Sequence, residues 1–444
     1  MTYPEVLRYL NSLANYEKEL NYPYQKTIKL QRIQNFLALI GDPQKGLRVI
    51  HVAGTKGKGS TCALTAYILR EAGFRVGLYT SPHLKDFRER IRILRMPAGG
   101  YKKAGKDFEG MISRKELSGL VRELKPLINK YNCYSKYGQL SFFEVYTALA
   151  FLYFKRKQVD FVVLETGMGG RLDATNAADS LVCGITPLSF EHVQKLGNTL
   201  VKIAGEKAGI IKKKGAIVVS AFQVKPAREV IALRCKKFQA RLYEIGKQIK
   251  YSITQKGLVI KGLNNNYQNL HLRLLGRHQF GNAALAAGLV ESLSAYGVKL
   301  KAGTIRRGLE HAVWPGRCEV IQNHPRIVLD GAQNLASAQV LTRAIKDNFK
   351  YQRLILVLGI SSDKDLPGIC KELGPLADEV ILTRAQTPRA ADPVKLSGYF
   401  KQKLYLTSGV KEAKILAGRL AGQNDLILVT GSLFVVGEFR DVGR

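Results

Sequence analysis

Apolar residues recur at helical spacing over roughly 3–14 and 30–40, and Gly41-Asp42-Pro43 closes the second run. RVIHVAG (48–54) is a short β-rich run ending on glycine. STCALTAYILREAG (60–73) is apolar at helical spacing and stops at Gly73, and RVGLYTS (75–81) reads as the next strand. Strand, glycine turn, helix and strand in that order make a βαβ unit, which implies a parallel sheet. Residues 96–113 are rich in glycine and lysine and predict an exposed loop, followed by helices over 114–130 and 141–156. VDFVVLETG (159–167) is continuously apolar, as expected of a strand covered on both faces. Strands are predicted at 181–186 and 216–220 with a helix over 199–211 between them, and 241–274 suggests a small antiparallel patch around its NNN turn. Helices over 280–296 and 302–311 lead to WPGR (314–317), where Trp-Pro-Gly breaks the helix and marks a hinge. The βα rhythm then restarts with RIVLD (326–330), LILVLG (354–359), EVILT (379–383) and LILVTG (426–431). The pattern predicts a large α/β domain over 1–313 and a smaller one over 314–444.

Composition adds bounds. A chain of 444 residues exceeds one ordinary core, and 46% hydrophobic with 23% charged residues is that of a soluble globular protein. The six cysteines show no C-x-x-C pair and no metal-ligand spacing, so a reduced, cytoplasmic setting is expected. MTYPEVLRYL predicts no signal peptide, and no apolar stretch approaches the ~20 residues of a membrane span. The net charge of +34 admits three readings: nucleic-acid binding, steering of small polyanions, or lysine bias over solvated faces. The basic residues are dispersed, with KKK only at 212–214 and no basic arm, so no nucleic-acid partner is expected.

The turn HVAGTKGKGST (51–61) lies between a strand's carboxyl end and a helix's N-terminus, where glycine-exposed N–H groups and the helix dipole form an anion site. Its spacing fails the common G-x-x-x-x-G-K-[ST] pattern, because Gly54 is three positions before Gly57 and Gly59 separates Lys58 from Ser60. Lys58 suits a transferring phosphate, and Ser60 or Thr61 suits Mg²⁺. Ser81, Glu165 and His192 also follow predicted strands, and ligands of open α/β sheets bind outside carboxyl strand ends. A hydroxyl, a carboxylate and an imidazole suit one or two divalent ions that keep phosphate oxygens as further ligands. Taken alone, Ser81 would cap the turn before Pro82, Glu165 would join an ion pair, and His192 would satisfy a loop carbonyl.

The motifs VAGTKGKGST (52–61), YTSPHL (79–84), LETGMGGRLDATN (164–176), HVQKLGNT (192–199), EKAGIIK (206–212), GRHQFGNAALA (276–286), WPGRCE (314–319), LDGAQN (329–334) and TGSLFVVGEFR (430–440) run in one order through nearly the whole chain. In that order the sequence resembles the folylpolyglutamate synthase/dihydrofolate synthase family of Mur-type ATP-dependent amide ligases. The shortened phosphate loop is that superfamily's own form. The resemblance implies an α/β fold: a large N-terminal P-loop-type ATPase domain with a mostly parallel sheet, and a smaller C-terminal Rossmann-like domain. It implies ATP held by Gly54, Thr55, Gly57, Lys58, Gly59, Ser60 and Thr61, with further nucleotide contacts from Asn282, Arg317, Asp330 and Gln333. One Mg²⁺ would be held by Ser81 and Glu165 and a second by His192. Lys207 matches the family's carbamylated lysine, formed with carbon dioxide. Without that match it would read as an exposed helix lysine.

Ser141, Leu172, Asp173 and Ala174 match the pterin pocket. The implied reaction adds L-glutamate to folate, or to dihydropteroate, through an acyl phosphate, in a monomer with ATP in a cleft between domains. The rivals are a Mur-type ligase of a non-folate acid and a non-catalytic nucleotide- or nucleic-acid-binding protein. Several residues depart from the family pattern. Lys56 stands where asparagine is usual, Glu191 where aspartate is, and Gln333 where histidine is. Ser361-Ser362 and the segment KTIKLQRI (26–33) also differ.

Overall fold

The computed structural model describes residues 1–17, 19, 22–96, 108–301 and 303–441, so most of the loop expected at 96–113 lies outside the described residues. The chain divides into two compact units. The first comprises Met1–His83, Phe87–His271 and Phe280–Ala312, and the second comprises Leu84–Asp86, Leu272–Gln279 and Val313–Arg444.

The first unit is built on β1 (Val49–Ala53), β2 (Val76–Tyr79), β3 (Ile91–Leu94), β4 (Phe161–Glu165), β5 (Ser180–Ile185), β6 (Ile217–Ser220) and β7 (Arg241–Glu244), in the order β3-β2-β4-β1-β5-β6-β7. Every pairing is parallel except that of β2 with β3. β1 is central, with β4 and β5 on its two sides, and all five of its residues are buried. Even His51 is inside, its Nε2 2.8 Å from Thr175 Oγ1. This burial explains why the strand reads as a run rather than an alternation. One packed layer gathers helices Tyr3–Ser12, Leu30–Leu39, Arg114–Tyr134 and Phe142–Arg156. Another, with Ile185 and Val218, takes in helices Leu200–Ala208 and Lys225–Lys237. Helix Lys58–Glu71 is almost wholly buried, and helix Thr304–His311 packs along it.

The expected antiparallel patch at 241–274 is smaller than the sequence suggests. Arg241–Glu244 pairs in parallel with β6, at the edge of the large sheet. Only β8 (Lys250–Thr254), β9 (Gly257–Lys261) and β10 (Asn266–Leu270) form the antiparallel sheet. The second unit carries β11 (Glu319–Asn323), β12 (Arg326–Leu329), β13 (Leu354–Leu358), β14 (Glu379–Leu382), β15 (Lys403–Leu406) and β16 (Leu426–Thr430) in the order β11-β12-β16-β13-β14-β15. All of its pairings are parallel but β11 with β12. No helix among the described residues is long and apolar enough to cross a membrane. All six cysteines are unpaired.

Candidate functional site

The turn from β1 into helix Lys58–Glu71 has a shape that two glycines permit. Gly54 has φ 153°, and a Cβ there would lie 1.8 Å from Thr186 Oγ1. Gly57, the helix N-cap at φ 82°, would place a Cβ 2.4 Å from Asn282 Oδ1. A side chain at either position would meet both a forbidden backbone and an occupied space. Asn282, on helix His278–Glu291, is thereby placed against the loop.

Two amines converge on one carbonyl. Lys207 Nζ donates to Gly54 O at 2.6 Å and Lys58 Nζ to the same oxygen at 3.3 Å. Lys207 stands in the last turn of helix Leu200–Ala208 and is only 2% exposed, so the exposed helix lysine that its sequence suggests in isolation is not what forms. Burial first, and then the Lys58 charge, push its amine down to about 7. A fair share of this lysine is therefore uncharged near neutrality.

Ser81 and Glu165 meet at the ends of adjacent strands. Ser81 follows β2, and its backbone N–H donates to Glu165 Oε2 at 3.1 Å at the end of β4. His192 lies beyond β5 in a left-handed conformation, φ 53° and ψ 38°. Desolvation by the surrounding chain first, and then the Lys207, Lys58 and Lys195 charges, push its imidazole down to about 4, against the pull of Glu191. Lys56, which the sequence left without a role, pairs with Glu191 at 2.6 Å. Burial works to raise the Glu191 carboxyl, but Lys56 and Lys58 hold it below the usual range.

The residues matched to a pterin pocket carry structural duties. Ser141 caps helix Phe142–Arg156 in a capping box with Glu144, whose carboxylate also pairs with buried Arg32 at 2.8 Å. Asp173 is buried and its carboxyl is raised by that burial. Its Oδ1 accepts from Thr175 N and Oγ1, and its Oδ2 accepts from Met168 N at 2.9 Å. The short turn Ala174–Ala177 packs against helix Phe142–Arg156, and Leu172 packs beside Tyr24, Leu196 and Ile203.

In the second unit, Asp330 follows β12 and accepts from Cys318 N and Ala332 N, each at 2.8 Å. Burial raises its carboxyl, opposed by the Arg317 charge. Gln333 is exposed just before helix Leu335–Asn348, with its backbone N–H on Ser337 Oγ. The sequence reading gave no role to His278, which burial and then the Arg317 charge push down to about 4. The signal was present in GRHQFGN, where an imidazole stands four residues before Asn282. Thr186, which fills the space beside Gly54, carried no such signal, because only the folded turn brings the two together.

Comparison with known proteins places the chain in a class. The Mur ligase middle domain family matches residues 128–290, and the Mur ligase, glutamate ligase domain family matches residues 316–433. These two matches define the class, a Mur-type ligase. A dihydrofolate synthase/folylpolyglutamate synthase of Bacillus subtilis is 34% identical over 429 residues, covering 93% of this chain and 94% of the relative. The structure is similar to Mycobacterium tuberculosis folylpolyglutamate synthase complexed with ADP and AMPPCP (TM-score 0.85, 31% identity, 99% of this chain and 98% of that one). It is also similar to E. coli FolC in complex with DHPP and ADP (TM-score 0.84, 29% identity, 100% and 97% covered). The chain belongs to the folylpolyglutamate synthase/dihydrofolate synthase family of ATP-dependent Mur-type ligases.

Proposed function

We propose that the chain joins L-glutamate to folates, or to dihydropteroate, using ATP. Residues 1–313 would act as the ATP-binding domain and 314–444 as the ligase domain of a cytoplasmic monomer. The observation that carries this reading is the meeting of Lys58 and Lys207 at the Gly54 carbonyl, inside a phosphate loop closed by Asn282. In the reaction the substrate carboxylate attacks the γ-phosphate, giving an acyl phosphate and ADP. The glutamate amine then attacks the acyl carbon, forming the amide and releasing phosphate. Two anions must approach in the first step, and Lys58 with the N–H groups of the loop offsets their repulsion. Arg317, Asp330 and Gln333 are the candidates for nucleotide contact in the second unit.

The donors also fit Mg²⁺. Among the described residues, no three His, Cys, Asp or Glu side chains are grouped so as to hold an ion on their own. Ser81 and Glu165 are adjacent, and a hydroxyl with one carboxylate suits an ion that draws its remaining ligands from phosphate and water. When bound there, Mg²⁺ would supply charge neutralisation between the nucleotide and the attacking carboxylate, with His192 as the protein donor to a second ion. Lys207 fits carbamylation, because its buried amine is in part free of its proton near neutrality and only the neutral amine adds to carbon dioxide. As a carbamate it would replace a cation with an anionic donor beside His192.

The test is ATP-dependent incorporation of labelled glutamate with dihydropteroate, tetrahydrofolate and non-folate acids in parallel. Incorporation with either pteridine substrate is expected. Turnover of the non-folate acids alone would overturn the assignment.

A further inference from the structure

The phosphate loop is tied to the segment bearing His192 by a set of contacts that the reaction scheme does not use. Thr55 N and Lys56 N both donate to Pro187 O, at 3.1 and 3.3 Å. Thr55 Oγ1 donates to Ser189 O at 3.2 Å and accepts from Ser189 N at 3.1 Å. The last contact outward is the ion pair of Lys56 Nζ with Glu191 Oε1 at 2.6 Å, between residues 135 apart in the chain. Glu191 immediately precedes His192, a non-glycine residue in the left-handed region. Such a conformation costs about 1 kcal/mol and persists where its surroundings fix it. Backbone bonds to Pro187 and the Thr55 hydroxyl hold the segment up to Ser189, and on the far side His192 O accepts from Lys195 N and Leu196 N. Between these two tethers, Glu191 ties the residue next to His192 back to the phosphate loop.

We infer that Lys56 and Glu191 act as a pair of positioning residues, clamping the His192 segment to the phosphate loop so that loop and imidazole are presented together to the metal-bound nucleotide. This rests on the ligase reading above. It also gives a meaning to two departures from the family pattern. The lysine and the glutamate both have longer reach than the asparagine and aspartate usual at these positions, and in this chain the two longer side chains meet. The clamp keeps the charge of the loop in order as well. Lys56 is neutralised by its partner, leaving Lys58 and Lys207 as the amines gathered at the Gly54 carbonyl.

The pair is partly exposed, 37% and 23% for the two side chains, so its loss should leave folding almost intact. The test is a cycle of Lys56→Met, Glu191→Gln and the double variant, with Lys56→Asn/Glu191→Asp as the rescue. Each single change is expected to lower kcat by about tenfold, as loss of a group supporting a metal ligand does, and to raise the half-saturating Mg²⁺ concentration. The double variant should be no worse than either single one. The Asn/Asp pair should recover to within about threefold of wild type. Thermal midpoints should stay within about 2 °C of wild type. Wild-type kcat in either single variant, or effects that multiply in the double, would overturn the clamp. Calorimetric titration with Mg²⁺ and AMPPCP runs the same cycle without folate. If wild type turns over no folate the ligase reading fails, while coupled losses of nucleotide affinity would still support the clamp and independent ones would refute it.

Discussion

At the scale of single residues, Lys207 is the most informative side chain. In the unfolded chain its amine stays charged up to its ordinary pKa of 10.5, and in the folded chain only below about 7. Below 7 the fold therefore carries a buried cation, and that cost is fully present. Between 7 and 10.5 the folded amine is neutral while the unfolded one is still charged, so the cost fades as pH rises, and above 10.5 it is gone. The chain is expected to gain stability from this group as pH rises from 7, and Lys207→Met should flatten that part of the curve in urea denaturation. The same neutral amine is open to carbon dioxide. With ¹³C-labelled bicarbonate at about pH 8, a carbamate carbon resonance is expected in wild type and not in Lys207→Met. Its persistence in the variant would assign it to another lysine. The residue type and its place in EKAGIIK were legible in the sequence. Its burial was not, because that depends on Gly54, 153 positions away, supplying the accepting carbonyl.

At the scale of elements, the strand–turn–helix unit explains why this turn reads as a candidate phosphate loop without matching the common spacing. Five buried residues ending on Ala53, then glycines at positive φ, then a helix with a glycine N-cap form a physical pattern that tolerates a shorter loop. Gly57→Ala tests it. The strain of an alanine at φ 82° costs about 1–2 kcal/mol, and the Asn282 amide must also turn away. Gly73→Ala is the matching control, since Gly73 has φ 95° with nothing within 4 Å of a new Cβ. Gly73→Ala should lose only the backbone-strain part and Gly57→Ala at least as much in denaturant, but only Gly57→Ala should lose nucleotide affinity in calorimetry. Equal affinities would mean that the turn's shape is not what binds phosphate. The central parallel strands were legible for a related reason, since burial on both faces writes itself as an unbroken apolar run. Edge strands write no such run. β11 and β15 are mostly exposed or half-exposed, and their polar residues hide them. Arg241–Glu244 was read into the antiparallel patch because its RLYE alternates like a hairpin strand, whereas its partner is β6.

At the scale of the whole molecule, the net charge of +34 is best judged by where the charges lie. Part of the basic excess is structural. Arg70 is buried against Glu71 and Glu109, and Arg90 is buried against Glu17, so these guanidinium groups contribute little to the outer field. Others, such as Lys213 and Lys214, are exposed and unscreened except by salt. All the proposed substrates are anions: ATP, glutamate, and a folate that gains a carboxylate with each addition. A long-range positive field raises encounter rates with such molecules, and that advantage is lost once the Debye length shrinks from about 10 Å at 0.1 M salt to about 3 Å at 1 M. Raising KCl through that range should therefore raise KM for ATP and for folate several-fold while moving kcat little. The rise should be steeper for a folate bearing several glutamates than for one bearing a single residue, because steering scales with ligand charge. Steady-state kinetics with two folate chain lengths at a series of salt concentrations decides the matter. A KM indifferent to salt, or equally sensitive for both lengths, would mean that the basic excess lies on solvated faces and takes no part in drawing substrates to the site.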